Sequence, residues 1–100
     1  MARTRLALVD VTGPYDGPWI LSNGYREAIV RVHGLAPLAQ LFLVFESKHT
    51  DSVLALARGE NRVQMQNWER YKITKRAPNN DGIATTVEFE YLDREARSNV

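Results

Sequence analysis

The chain contains no cysteine. That excludes disulfides, thiol nucleophiles and cysteine-ligated zinc or iron–sulfur centres, and it fits folding inside a cell. No run approaches the ~20 consecutive apolar residues needed to cross a bilayer. The longest apolar stretch, Leu41–Phe45, has the length of a strand. Residues 1–10 carry Arg3 and Arg5 and then alternate, so they lack the uninterrupted apolar core of a signal peptide. There is no glycine-rich phosphate loop, no dinucleotide fingerprint and no capped amphipathic helix for a membrane surface. An excess of one charge is missing too: 13 basic side chains meet 12 acidic ones, for a net charge of +1. Binding driven by phosphate contacts needs Lys and Arg in excess on one face, so nucleic acid is not an expected partner.

What is present suits one domain over residues 1–100. Hydrophobic residues make up 44% of the chain and charged residues 25%, ordinary values for a chain that folds around a core. A domain of this size buries roughly 60–70% of the surface its unfolded chain exposes.

The dominant period is two. Apolar residues recur at every second position in short runs closed by Gly, Pro, Asn or Asp, the pattern of half-buried strands joined by turns. Residues 5–11 form the first run, with Leu6 and Leu8 on one face and Val9 and Val11 on the other. Residues 12–18 hold two Gly and two Pro, which argues against a regular element there. A short extended piece at 19–21 and a turn at Ser22-Asn23-Gly24 follow. Residues 25–33 place Ala28, Val30 and Val32 on one face. Residues 40–47 place Leu41, Leu43 and Phe45 on one face and read as the central strand. Residues 52–57 suit either a strand or a helical turn, 59–61 a turn, and 62–66 a strand with Val63 and Met65 inward. In 70–76, Tyr71 and Ile73 oppose Arg70, Lys72, Thr74 and Arg76. Asp81-Gly82 predicts a hairpin, because such turns require positive φ. It would join 70–76 to a long strand at 83–92 and set Glu88 and Glu90 beside the basic face, each cross-strand pair contributing about 0.2–1 kcal/mol. The total is seven to eight short strands: an all-β antiparallel β-sandwich, immunoglobulin-like or jelly-roll-like, with possible flexible arms at 1–4 and 93–100.

Each constellation with chemical content has a structural explanation that outweighs the functional one. Ser47, His49, Asp51 and Ser52 hold the residue types of a hydrolase triad, but neighbours in one loop do not converge on a cleft with an oxyanion hole. His33 and His49 are the only histidines, too few and too far apart for a metal set with Glu46 or Asp51. Glu88 and Glu90 read as a solvated strand face rather than a glycosidase pair. No catalytic residue, metal or cofactor is expected, and the chain is not expected to be an enzyme. The candidate interaction residues are Tyr15, Trp19, Trp68, Arg70, Lys72 and Arg76. The basic trio would be the best phosphate-contacting patch, with Tyr71 and Trp68 near it. Trp19, with Tyr15 in a rigid Gly/Pro-rich segment, suits either an interface anchor or a plug at one end of the sandwich.

The pattern as a whole resembles small phage-encoded β-sandwich proteins. It is carried by Gly24-Tyr-Arg-Glu-Ala-Ile-Val-Arg-Val-His-Gly34, then Leu43-Val-Phe-Glu-Ser47, Gly59-Glu-Asn61, Arg70-Tyr-Lys-Ile73, and Gly82 through Tyr91. The resemblance covers about residues 10–92, and departs from its pattern in the charged tail and at Lys48-His-Thr-Asp51. It implies a virion component made in the host cytoplasm: a capsid decoration (cement) protein bound to the major capsid protein, or a head–tail accessory protein. Homo-oligomeric or symmetric assembly on the particle would follow. The competing expectation is a carbohydrate- or ligand-binding sandwich module that uses exposed aromatics as its platform.

Overall fold

A computed structural model of the chain describes residues 3–66 and 68–94. Its regular elements are β-strands: β1 (Arg3–Val11), β2 (Tyr15–Asp16), β3 (Ile20–Leu21), β4 (Tyr25–His33), β5 (Gln40–Glu46), β6 (Asp51–Leu56), β7 (Gly59–Gln64), β8 (Arg70–Arg76) and β9 (Thr85–Arg94). They form two antiparallel sheets. One runs β1-β9-β4-β7; the other runs β2-β8-β5-β6, with β3 also paired to β8.

This order is a jelly roll. Counted as one interrupted strand, β2 and β3 pair with β8, inside the outermost pair β1·β9. Within these lie β4·β7 and β5·β6. The nested pairs describe one long antiparallel hairpin. Rolling it up adds the contacts β9·β4 and β8·β5, which stitch the two sheets. The sandwich expectation holds, and of its two variants the strand order selects the jelly roll.

Several local expectations are corrected. β8 and β9 do not form a hairpin: β8 lies in one sheet, β9 in the other, and residues 77–84 cross between them. Asp81-Gly82 therefore serves a sheet-changing connection. Its turn chemistry is present, with Gly82 at φ +80°, but turn chemistry says nothing about which sheet the chain enters next. Gly59 to Asn61 open β7 rather than make a turn. Residues 51–56 are a strand, and the Gly/Pro-rich segment holds the short β2, set against the edge of β8. In β1, Leu8 is buried with Val11 beside it, while Leu6 is 58% exposed. Register shifts between Leu6 and Leu8 and between Leu8 and Val11 reset the strand's parity, as a β-bulge does. Asp10, at φ +50°, sits in the second shift; its N–H donates to the Thr86 hydroxyl at 3.0 Å. Of the expected arms, residues 3–4 and 93–94 belong to β1 and β9, and the remainder lies outside the described residues.

The core lies between the sheets. β4 sends in Ala28, Val30 and Val32, β5 Leu41 and Leu43, β8 Tyr71 and Ile73, and β9 Val87, Phe89 and Tyr91, all buried. A file of rings crosses it. Tyr25 stacks on Tyr91 at 4.6 Å between centroids, Tyr91 lies 5.9 Å from Phe89, and Phe89 4.9 Å from Tyr71. Tyr71 lies 6.3 Å from Trp68, which stacks on Phe45 at 3.7 Å. Within the file the Tyr71 and Tyr91 hydroxyls hydrogen-bond each other across the sheets. Burial and this mutual contact push the Tyr71 hydroxyl well above the usual tyrosine range, and burial pushes Tyr91 up as well.

One end of the roll is locked by a buried charge pair. Lys75 continues the inward face of Tyr71 and Ile73, and its Nζ lies 2.6 Å from Asp81 Oδ2, with side-chain exposures of 0% and 1%. The same Nζ donates to the Val11 carbonyl at 2.9 Å. The end of β1, the end of β8 and the 77–84 crossover are thereby joined at one cation. Gly13 closes against the same crossover, where an added Cβ would sit 2.3 Å from the Asn79 carbonyl oxygen. The Lys75 ammonium, with the N–H groups of Ile83 and Gly13, holds the Asp81 carboxyl below the usual range against the opposing effect of burial.

Truncating the centre of the file in Phe89→Ala should cost about 3–5 kcal/mol in urea unfolding, the range for a buried aromatic. The raised tyrosines stabilise the fold fully below the ordinary tyrosine pKa of about 10. That contribution is lost as pH rises through their higher folded values, so alkaline unfolding should begin above about pH 10 and shift upward in Tyr71→Phe. The lowered Asp81 acts in the opposite sense: its contribution is present above about pH 4 and is lost as pH falls through its folded value. Asp81→Asn should lower the melting temperature at neutral pH and flatten its decline below pH 4.

Candidate functional site

The six interaction candidates divide between the two sides of the β2-β8-β5-β6 sheet. β8 alternates, so Arg70, Lys72, Thr74 and Arg76 point away from the core. On this outer face Arg70 Nε donates to Glu46 Oε1 at 2.6 Å, and its guanidinium carbon lies 4.3 Å from the centre of the Trp19 ring. Lys72 Nζ lies 5.0 Å from the same ring and 3.1 Å from Asp16 Oδ1. The Thr74 hydroxyl also donates to Asp16 Oδ1, at 3.1 Å. Lys72 and Thr74 together hold the Asp16 carboxyl below its usual range. Arg76 lies over Phe42, 5.7 Å from the ring centre. Arg70, Lys72 and Trp19 thus form one cluster, with Arg76 farther along the strand.

The expected partners of these cations are corrected. Glu88 and Glu90 are on the other sheet. There Arg31 spans Glu60 at 3.1 Å and Glu90 at 2.7 Å, and Arg62 grips both oxygens of Glu27 at 2.9 and 3.0 Å. Because Arg70 and Lys72 each hold a carboxylate on their own face, the local potential that a phosphate would feel is largely cancelled.

Tyr15, Trp19 and Trp68 do not gather into one platform. Tyr15 lies opposite Lys75 on the inward side of β2, packed against the core. Its ring rests on Gly17, where an added Cβ would meet Cε2 at 2.8 Å. Trp68 stacks on Phe45, and its carbonyl accepts the Ser22 hydroxyl at 2.6 Å. The end plug is therefore Trp68. Trp19 is 37% exposed on the outer face beneath its two cations.

The loop tested as a triad is committed to holding its own turn. The Ser47 hydroxyl and N–H both donate to the Thr50 carbonyl, at 3.1 and 2.8 Å. Among the described residues, no three of His, Asp and Glu come together in a way that could hold a metal ion.

Sequence reasoning passed over two features. Lys75 was readable from parity alone, since it follows Tyr71 and Ile73 at the same spacing; its charge disguised it. The other is the open edge of β6, where Val53 is 63% and Leu54 40% exposed. The signal was available in Ser-Val-Leu-Ala-Leu, a strand free of charge from Ser52 to Leu56. Further apolar surface lies at the loop end of the roll, where Leu38 is 79% and Ile83 41% exposed.

No protein-family model matches the chain, and no curated protein matches it by sequence. Among solved structures, the crystal structure of the SPBc2 prophage-derived protein YomS is similar, with a TM-score of 0.65 over 90% of this chain and 93% of that one. Sequence identity is 10%, so what the two share is the fold.

Proposed function

We propose that this chain is a structural protein of a bacteriophage particle. Its most specific form is a capsid decoration (cement) protein that stabilises the shell by binding the major capsid protein. The observation that supports this most is the shared fold with YomS, a prophage-derived protein, along nearly the whole of both chains. The physical character of the molecule agrees. A sandwich rolled around one core and locked by a buried charge pair is a firm platform for repeated contacts. Exposed apolar residues sit on edge strands, Leu6 and Val9 of β1, Leu21 of β3, Val53 and Leu54 of β6, and at the loop end, Leu38 and Ile83, where a neighbouring subunit can reach them. Repetition over a symmetric shell would multiply contacts that are weak one at a time. On this reading the protein is not an enzyme, and it resides in the virion after synthesis in the host cytoplasm.

No specific observation favours the alternative of a carbohydrate- or ligand-binding module. Such a module needs an open aromatic face, and Trp19 is occupied by Arg70 and Lys72.

Purified protein mixed with expanded, undecorated capsids of the parent phage should occupy the shell stoichiometrically in electron micrographs and raise its melting temperature. Bare capsids after mixing at high protein concentration would rule out the cement role.

A further inference from the structure

A sandwich has open strand edges, and this one treats them unequally. β1 is broken by two register shifts. β7 carries Glu60 and Arg62. β2 and β3 have two residues each and lie among Pro14 and Pro18. Bulges, charges, prolines and shortness are the usual means of keeping an edge from pairing with another chain. β6 uses none of them. It pairs with β5 without a register shift, its only charged residue is Asp51 at the start, and it exposes Val53 and Leu54 on opposite faces.

The backbone of that edge can be assigned. Ser47 N–H donates to Thr50 C=O, which makes 47 and 50 a hydrogen-bonded pair of the hairpin. Hydrogen-bonded and non-bonded pairs alternate along an antiparallel ladder. Ser52, Leu54 and Leu56 therefore turn their N–H and C=O groups to β5, and Asp51, Val53 and Ala55 turn theirs to the open side. The run has a defined end. Ala57 gives its N–H to Asn61 Oδ1 at 2.9 Å and accepts Asn61 Nδ2 on its carbonyl at 2.8 Å.

We propose that β6 is a self-association edge, on which two copies of this chain pair antiparallel across a two-fold axis beside Val53. The stretch without main-chain partners is centred on Val53, with only the Asp51 carbonyl accepting a side chain, the Thr50 hydroxyl at 3.4 Å, so this register uses all of it: Val53 faces Val53 of the second copy, Asp51 faces Ala55, and Ser52 faces Leu54. Three hydrogen-bonded pairs supply about six main-chain hydrogen bonds. The charge pattern suits a second copy, because each Asp51 meets an alanine and no like charges lie opposite one another. Val53 already pairs with Val44 on the outer face, so the axis would merge the Val44–Val53 patches of both copies into one apolar strip. Edge pairing alone buries less than the roughly 800 Å² per partner of a standard interface. The dimer is accordingly weak in dilute solution and forms at high concentration or when copies are held side by side.

The test uses the isolated protein, so its outcome is separate from capsid binding. Sedimentation up to millimolar concentration should show a monomer–dimer equilibrium. Val53→Lys, at an exposed position that leaves the core intact, should weaken dimerisation at least tenfold while circular dichroism and the melting temperature stay near wild type. Val53→Cys introduces the only thiol of the chain. It would lie about 5.5 Å, Cα to Cα, from its symmetry mate, within disulfide range. It should oxidise to a covalent dimer at least tenfold faster than Gln64→Cys on the β7 edge. A strict monomer at millimolar concentration overturns self-pairing and leaves the edge to a strand from another protein. Equal oxidation rates for the two variants, or dimerisation untouched by Val53→Lys, overturn it in favour of a different face.

Discussion

The burial of alternate side chains between two sheets is the constraint on which the rest of this molecule depends. The ring file makes that dependence concrete. Tyr25 and Tyr91 come from one sheet, Tyr71 and Phe45 from the other, and the Tyr71–Tyr91 hydroxyl contact ties the two at the centre. A slip of one residue in any contributing strand would turn its apolar set to solvent. Register is therefore strongly specified in β4, β5, β8 and β9. It shifts in β1, where the bulge lets Leu8 and Val11 both reach the interior, and where β4 begins, between Tyr25 and Ala28 against β9.

The same constraint assigns polar residues their places. Each sheet has an outer face on which charges pair across strands: Arg31 with Glu60 and Glu90 on one, Arg70 with Glu46 and Lys72 with Asp16 on the other. Exposed pairs of this kind contribute little individually. Their larger effect is to leave neither face strongly basic or acidic. Lys75 and Asp81 are the exception, a charge pair enclosed where three segments meet. Removing one partner of such a pair leaves the other stranded, which makes the lock a device for fixing loop positions more than a source of net stability.

Much of this was legible in the sequence, and the misses have physical causes. Inward sets such as Ala28-Val30-Val32 and Leu41-Leu43 follow from period two, because side chains alternate strictly along a regular strand. Leu6 was misplaced because the shift between Leu6 and Leu8 leaves no compositional mark; the second shift is marked only by Asp10, a residue able to adopt positive φ. The β8–β9 pairing failed for another reason. Asp-Gly encodes local backbone geometry, whereas the choice between returning in the same sheet and crossing to the other is made by the whole rolled hairpin. The site followed suit. Arg70, Lys72, Thr74 and Arg76 were correctly placed on one face, but their partners Glu46 and Asp16 depend on strand order, which alternation cannot convey. Tyr15 and Trp19, four residues apart, took opposite sides because the intervening Gly/Pro segment has no single period.

Nesting β1 against β9 has a practical corollary. Arg3 lies opposite Tyr91, and Tyr25, just after the Ser22–Gly24 turn, opposite Arg94. The start of the first strand and the finish of the last thus emerge at one pole, together with the Ser22–Gly24 turn. The Lys75 lock and the exposed Leu38 and Ile83 lie at the other pole. The outer ends of the first and last strands therefore lie on one side of the roll and the apolar tip on the other, so the two poles of the molecule differ in chemical character.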